Sequence, residues 1–224
     1  MAIAYDSVTN PDLNAGGDLD LTHSCSGSDR ILWAGVLMRN TTVNSITYNG
    51  TAMTQVGSRI GPIGGSNDYV ALYFLTNPAT GSNTFNVTLN AANLVIGALV
   101  SYNGADSAGQ PDGATDNGFT VETTTNTSVT TTADNCWVIG VGRGNADGLL
   151  YAGTATTMRA TLDPTGGYIQ MFDNGGPKTP AGSVTLQTTQ ANQPTGHKIA
   201  SFKPATGGGG TIRLQTNLTL LGVG

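Results

Sequence analysis

The stretch ILWAGVLMRNTTVNSITYNG, residues 31–50, decides the fold. Its first part, from Ile31 to Met38, is an unbroken apolar run that predicts a buried strand, and a polar turn then leads to a second short strand. That strand ends at Asn49 and Gly50, a pair that favours a tight hairpin turn because both residue types tolerate positive φ. The stretch therefore predicts a β-sheet protein, and it contains nothing reactive.

A weaker copy, CWVIGVGRGNADGLLYAG, occupies residues 136–153. The two stretches align Trp33 with Trp137 and Tyr48 with Tyr151, and both contain an apolar strand, a turn with Arg and Asn, and a Tyr-x-Gly ending. This repetition predicts two related halves.

The composition favours β-structure. Charged residues are only 10% of the 224 residues, and the chain is rich in Thr, Asn, Gly and Ser, a mixture of strand and turn formers. Helical periodicity is nowhere sustained. We therefore predict an all-β, antiparallel, jelly-roll-like sandwich over residues 1–204, a Gly-rich linker over 205–210, and a flexible C-terminal arm or terminal strand over 211–224.

Net charge limits the partners. The chain carries −5 at pH 7 with a pI near 4.6, and its basic residues are scattered, which argues against nucleic acid because phosphate contacts need clustered Lys and Arg. Neither a membrane-spanning segment nor a signal peptide is evident, so we expect no membrane partner and synthesis in a host cytoplasm without Sec-type export.

Turn residues separate a series of short strands, which is the pattern of a sandwich with Greek-key or jelly-roll connections. The first half is predicted to contain outer strands at 2–8 and 19–25, doubly buried strands at 68–76 and 93–102, and an alternating strand at 84–90. The second half repeats the pattern at 137–141, 149–151, 168–172, 183–188 and 197–202. The Thr-rich segment between the halves is expected to form exposed strands.

The C-terminal arm is unusually apolar for a chain end. Two interpretations stand side by side: a final strand on the chain's own sandwich, or an arm that adds a strand to a neighbour's sheet edge. The residues expected to bind the partner are Ile212, Leu214, Leu218, Leu220 and Leu221.

The search for catalytic chemistry gives no catalytic residue. Glycoside hydrolysis needs two carboxyl groups across a cleft, whereas Glu122 is the sole glutamate and no aspartates alternate along a core strand. Alternation along the strand puts His23 and Ser24 on opposite faces, so His23 is expected to be a satisfied surface or edge histidine. Trp33 and Trp137 lie in the most apolar runs, which favours core positions over sugar stacking.

Neither a metal nor another cofactor is predicted. The loop with Asp112, Asp116 and Asn117 offers oxygen ligands for Ca²⁺, but it lacks EF-hand spacing and reads better as a solvated turn. Cys25 and Cys136 precede the matched strands closely enough to allow a disulfide, although two buried free thiols are favoured because nothing indicates an oxidising compartment.

Several segments carry a family resemblance: THSCSGSDRILWAGV, SITYNGTAMTQVG, YFLTNPATGSNTFNVTL, SYNGAD and TTADNCWVIGV. Together they resemble a jelly-roll-like β-sandwich module of bacteriophage structural proteins and repetitive bacterial surface proteins. The resemblance covers residues 2–204 and transfers no catalytic residue. It implies a virion surface or cement protein when the module stands alone, and an adhesion or glycan-binding unit within a large secreted protein.

The leading expectation is a non-enzymatic structural protein of a phage particle, either a capsid decoration protein or a minor tail component. Its partners would be its own copies and a major capsid or tail protein, and its location the virion. The alternative is a carbohydrate-binding or adhesion module that contacts a surface glycan through exposed residues such as Tyr5, Tyr102 or Asn103.

Overall fold

The structure, a computed structural model, describes residues 1–63, 67–144, 150–161 and 169–206. Every regular element in these ranges is a β-strand and every strand pair is antiparallel, so the prediction of an all-β antiparallel sandwich protein is confirmed. Within the same ranges, no helix is long and apolar enough to cross a membrane.

The strands of the first half lie between residues 4 and 103. They are β1 Ala4–Asn14, β2 Leu19–Cys25, β3 Ile31–Arg39, β4 Val43–Tyr48, β5 Thr51–Ala52, β6 Thr54–Gln55, β7 Ile60–Ile63, β8 Asp68–Thr76, β9 Gly81–Leu89 and β10 Val95–Asn103. The strands of the second half are β11 Gly113–Asp116, β12 Thr120–Thr130, β13 Trp137–Gly144, β14 Tyr151–Ala152, β15 Thr157–Ala160, β16 Gln170–Asp173 and β17 Ser183–Phe202.

Three sheets are stacked on one another. The central sheet has the order β1-β10-β3-β8-β6, with β7 also beside β8, and the small sheet has the order β2-β9-β4-β5. The large sheet has the order β11-β17-β13-β16-β15, with β12 and β14 also paired to β17. The small and large sheets cover opposite faces of the central one, which explains why β3, β8 and β10 are apolar almost without interruption.

Two apolar cores result from this stacking. The core between the small and central sheets includes Leu21, Phe85 and Leu99, and the core between the central and large sheets includes Trp33 and Phe202. Alternate residues of the central strands point into each core. The second core joins the two halves of the chain into one body.

The long strand β17 carries the chain between two layers of the second half. Its first part lies between β12 and β14, and its last part lies between β11 and β13. A third apolar cluster, which includes Val138, Leu150 and Leu186, fills the space between these layers. The second half is therefore also a small sandwich.

The two halves share one strand arrangement, which supports the prediction of related halves. In the first half, β9 lies between β2 and β4, and β10 lies between β1 and β3. The two parts of β17 have the equivalent neighbours, β12 and β14 and then β11 and β13. The single strand β17 thus corresponds to β9 and β10 together.

The pairing registers correct the sequence alignment of the two tryptophans. Leu32 of β3 and Val138 of β13 each lie opposite a serine of the neighbouring strand, and both serines donate a hydrogen bond to an aspartate. Leu32 directly precedes Trp33, whereas Val138 directly follows Trp137. The tryptophans are therefore offset by two positions, a shift that keeps the same sheet face and that apolar patterning cannot detect.

The alignment of the two tyrosines is also wrong. Tyr48 is fully buried and donates to the His23 carbonyl at 2.9 Å, whereas Tyr151 is 58% exposed. The hairpin turn after Tyr48 is confirmed, since Asn49 and Gly50 have φ values of 48° and 74° and join β4 to β5.

Candidate functional site

The exit point of the C-terminal arm is fixed on the body. Pro204 forms a β-bridge with Ala105, and the Ala205 amide donates to the Gly104 carbonyl at 2.8 Å. The amino group of Met1 donates to the Ala205 carbonyl at 2.7 Å. The last described residues before the arm therefore lie beside the N-terminus of the chain. The predicted partner-binding residues lie outside the described residues: Ile212, Leu214, Leu218, Leu220 and Leu221.

His23 is a satisfied histidine at an edge strand, but it is buried rather than on the surface. It is only 2% exposed, with its Nε2 atom 3.0 Å from Ser101 Oγ and 3.2 Å from Ser7 Oγ, and its Nδ1 atom 2.9 Å from Thr9 Oγ1. Burial lowers the pKa of His23 to about 4, although the nearby Asp6 carboxylate opposes the shift. The imidazole is neutral at pH 7.

This cluster does not have the order of a catalytic triad. In a triad the carboxylate holds the imidazole, whereas here Asp6 accepts from Ser101 Oγ at 2.8 Å and from the Ser26 amide at 2.9 Å. His23 meets Thr9 at Nδ1 instead. The arrangement ties β1, β2 and β10 together.

The loop with Asp112, Asp116 and Asn117, predicted to be a solvated turn, uses its carboxylates for internal contacts. Asp112 accepts from the Thr132 amide at 2.8 Å and from Ser201 Oγ at 3.4 Å, and Asp116 accepts from Lys198 Nζ at 2.8 Å. Asp112 occupies the position equivalent to Asp6, which makes it a repeated structural feature. Among the described residues, no group of three or more His, Cys, Asp or Glu side chains is arranged to hold a metal ion.

A second buried histidine lies in the second half. His197 is fully buried, with Nε2 at 2.8 Å from Thr188 Oγ1, Nδ1 at 3.3 Å from Thr127 Oγ1, and its ring 5.0 Å from that of Phe172. Burial lowers the pKa of His197 to about 3. Like His23, it is a neutral side chain that joins strands.

A buried ion pair connects the halves at one end. Asp68 on β8 is fully buried and accepts two hydrogen bonds from Arg39, at 2.6 and 3.1 Å. It also accepts from Nη2 of Arg143 on β13, which is buried and belongs to the other half. The sequence pattern places Arg39 and Arg143 at turns and does not indicate that both arginines contact Asp68.

A second polar centre joins the halves near the chain termini. Asp173 on β16 accepts from Tyr102 Oη at 2.5 Å and from Arg159 Nε at 2.6 Å. The Arg159 guanidinium lies 4.5 Å from the ring centre of Tyr5. Tyr102 is fully buried, and burial raises its pKa well above the usual value. The prediction of Tyr102 as an exposed glycan contact is therefore wrong. The other two residues of that prediction, Tyr5 and Asn103, are partly exposed.

Both tryptophans are core residues, as predicted. Trp33 packs against Phe74 and Phe202 with ring centres 5.5 and 5.4 Å apart, and Trp137 packs against Tyr102 at 5.3 Å. These rings fill the core between the central and large sheets.

The cysteines are buried free thiols. Cys25 ends β2, whereas Cys136 forms an isolated bridge with Lys178 before β13, so the two do not occupy equivalent positions. Burial raises the pKa of Cys25 and raises that of Cys136 to about 11. Both are therefore protonated at neutral pH and poor nucleophiles.

The chain was compared with protein-family models, curated proteins and solved structures. Nothing matched in any of the three. The functional argument therefore depends on the geometry of this chain and on the chemistry of its side chains.

Proposed function

We propose that the protein is a non-enzymatic structural protein of a phage-like particle, a capsid decoration protein or a minor tail component. It would act in the virion through contacts with its own copies and with a major capsid or tail protein. The observation that carries the proposal is the fixed exit point of an apolar arm: Ala205 is held by Gly104 and Met1, and a glycine run and the arm follow it.

The body is suited to a scaffolding role. Two sandwiches share one apolar core, and the buried centres at Asp68 and Asp173 connect the halves. A buried side chain with its hydrogen bonds satisfied holds its neighbours in one arrangement. Such a body would present its edges and the base of the arm in constant positions.

The arm has the sequence of an added strand. Residues 211–224, TIRLQTNLTLLGVG, alternate apolar and polar side chains at first and end in a leucine-rich run. An added strand gains main-chain hydrogen bonds from an open sheet edge, and alternate side chains enter pockets. Within the described residues β1 pairs only with β10, so β1 of a neighbouring copy offers such an edge.

Full-length protein with a substituted arm tests the proposal. We expect the wild type to form a closed oligomer by size-exclusion chromatography with light scattering, with electron microscopy of the same fractions. Changing Leu218, Leu220 and Leu221 to Ser should give a monomer with unchanged thermal unfolding, because these side chains would contact the neighbour. The control, Asn217→Ser with Thr219→Ser, should keep the oligomer.

Two results would contradict this role. A wild-type monomer at tens of micromolar that adds to no particle lattice would refute assembly altogether. A triple-serine variant with a much lower unfolding temperature would make the arm a core strand of its own sandwich.

A further inference from the structure

A groove runs along the surface of the first half, away from the exit point of the arm. It consists of three adjoining depressions of about 450, 340 and 350 Å³. The first and second share Thr42 and Arg59, and the first and third share Val43, Gln55 and Tyr73. The shared residues show that the three depressions form one continuous surface.

Polar and apolar groups line this groove in about equal measure. Besides the shared residues, the uncharged polar side chains include Asn40, Thr41, Asn44, Ser45, Ser58 and Asn90. Arg59 is the one charged side chain among the described residues that line it. The groove therefore offers many neutral hydrogen-bonding groups and a single positive charge, without a carboxylate.

Arg59 is held in place before any ligand arrives. Its Nη1 donates to the Thr41 carbonyl at 2.7 Å, and its guanidinium lies 3.8 Å from the ring centre of Tyr69. Within the described chain its Nε and Nη2 atoms donate no hydrogen bond, and the side chain is partly exposed. A guanidinium fork with free N–H groups matches the two oxygens of a carboxylate.

Two amide side chains of the groove, Gln55 and Asn90, are also held by hydrogen bonds. Tyr73 Oη donates to Gln55 Oε1 at 3.1 Å, and Gln55 Nε2 donates to the Gly57 carbonyl at 2.9 Å. On the other side of Arg59, Asn90 Nδ2 donates to Thr42 Oγ1 at 2.5 Å. Side chains that are already ordered lose less conformational entropy when a ligand binds.

We propose that this groove binds an acidic saccharide, with the sugar carboxylate on Arg59 and the hydroxyl groups on the neighbouring amides and threonines. A metal cation would need carboxylate ligands, and a nucleic acid would need several basic side chains. The protein carries a net charge of −5, so general electrostatic attraction for polyanions is weak. Binding of an acidic sugar therefore requires this local site.

The test uses the full-length protein and paired probes. Tetragalacturonate and sialyllactose are the acidic saccharides, and the carboxyl-reduced tetramer and lactose are their neutral counterparts. By isothermal titration calorimetry, at least one acidic probe should bind with a Kd below about 1 mM. Its neutral counterpart should bind at least about tenfold more weakly, because it leaves the guanidinium without a carboxylate partner.

Matched arginine variants locate the binding. Arg59→Gln should weaken the binding of the acidic probe at least about tenfold, since it removes the guanidinium. Arg30 is also partly buried and donates to the main-chain carbonyls of Gly27 and Pro78, outside the groove. Arg30→Gln should therefore bind like the wild type.

A second variant keeps the test valid if Arg59→Gln does not fold. Asn90 is exposed, and Asn90→Asp should weaken the binding of acidic probes because it places a second negative charge beside the negatively charged sugar. The proposal is overturned if neither acidic probe binds, if each neutral counterpart binds as well as its acidic probe, or if a folded groove variant binds like the wild type. None of these results depends on the oligomeric state, so they leave the assembly role untouched.

Discussion

At the scale of single residues, the buried polar side chains are the least expected feature. His23 on β2 and His197 on β17 are both almost completely buried, although each is a polar side chain that can carry a charge. Each imidazole meets hydroxyl groups at both ring nitrogens, which explains how burial is tolerated in the neutral form. The same arrangement makes both side chains sensitive to acid.

The protein should lose stability as the pH falls from about 6.5 to 5. The folded-state pKa values of His23 and His197, about 4 and about 3, lie below the value near 6.5 of the unfolded chain. The unfolded state therefore binds more protons in this window, and the free energy of unfolding decreases as the pH is lowered. The stabilisation that depends on neutral histidines is fully present above the unfolded-state pKa, and it decreases as the pH falls toward the folded-state pKa values.

Urea unfolding at pH 7, 6 and 5 measures this effect. Complete protonation would cost roughly 3 kcal/mol for His23 and roughly 5 kcal/mol for His197. Measurements are confined to pH 5 and above because most carboxyl groups titrate at lower pH. His23→Gln should be less stable at pH 7 but should show a shallower dependence on pH. An equal dependence in both proteins would rule out His23 as a source.

At the scale of elements, close approach of the sheets depends on glycines of the central strands. An added Cβ atom at Gly35 of β3 would lie 2.7 Å from Cγ2 of Val141 and 3.3 Å from Met171 in the large sheet. Gly35 thus sets the distance between the central and large sheets. The sequence placed Gly35 in a buried strand but could not identify its neighbours.

Gly35→Ala should lower the free energy of unfolding by about 1–3 kcal/mol, because it overpacks the core between the halves. Gly16 is the matched control, since nothing lies within 4 Å of a Cβ atom added there. Gly16→Ala should leave stability within about 0.5 kcal/mol of the wild type. Similar losses in both variants by urea unfolding would contradict the close contact.

Apolar runs and turn residues in the sequence predicted most strands correctly, because both are local signals. Apolar runs identified β3, β8 and β10, and the Asn49 and Gly50 pair identified a turn, because each signal is local. The register of the repeat was wrong by two residues, since a shift of two preserves the face of every side chain. Partners far apart in the sequence, such as Asp68 and Arg143, leave no local signal.

At the scale of the whole molecule, the important question is how two sandwiches behave as one body. The core between the central and large sheets contains residues of both halves, and Asp68 accepts from Arg39 of its own half and Arg143 of the other. By the register of the repeat, Leu37 is the counterpart of Arg143 in the first half. The ion pair therefore belongs to the contact between the halves and is not a feature of each sandwich.

Asp68→Asn should lower the free energy of unfolding by about 3–5 kcal/mol, because it removes the buried carboxylate that pairs with the buried Arg143. Asp106 provides the control: its ion pair with Lys203 is 3.9 Å long and partly exposed, so Asp106→Asn should cost less than about 1 kcal/mol.

Because the halves share one core, tryptophan fluorescence and far-UV circular dichroism should give coincident urea transitions in the wild type. Separate transitions in the wild type would mean that the halves unfold independently. Equal losses of unfolding free energy in the two variants would mean that the Asp68 ion pair stabilises the protein no more than the partly exposed one.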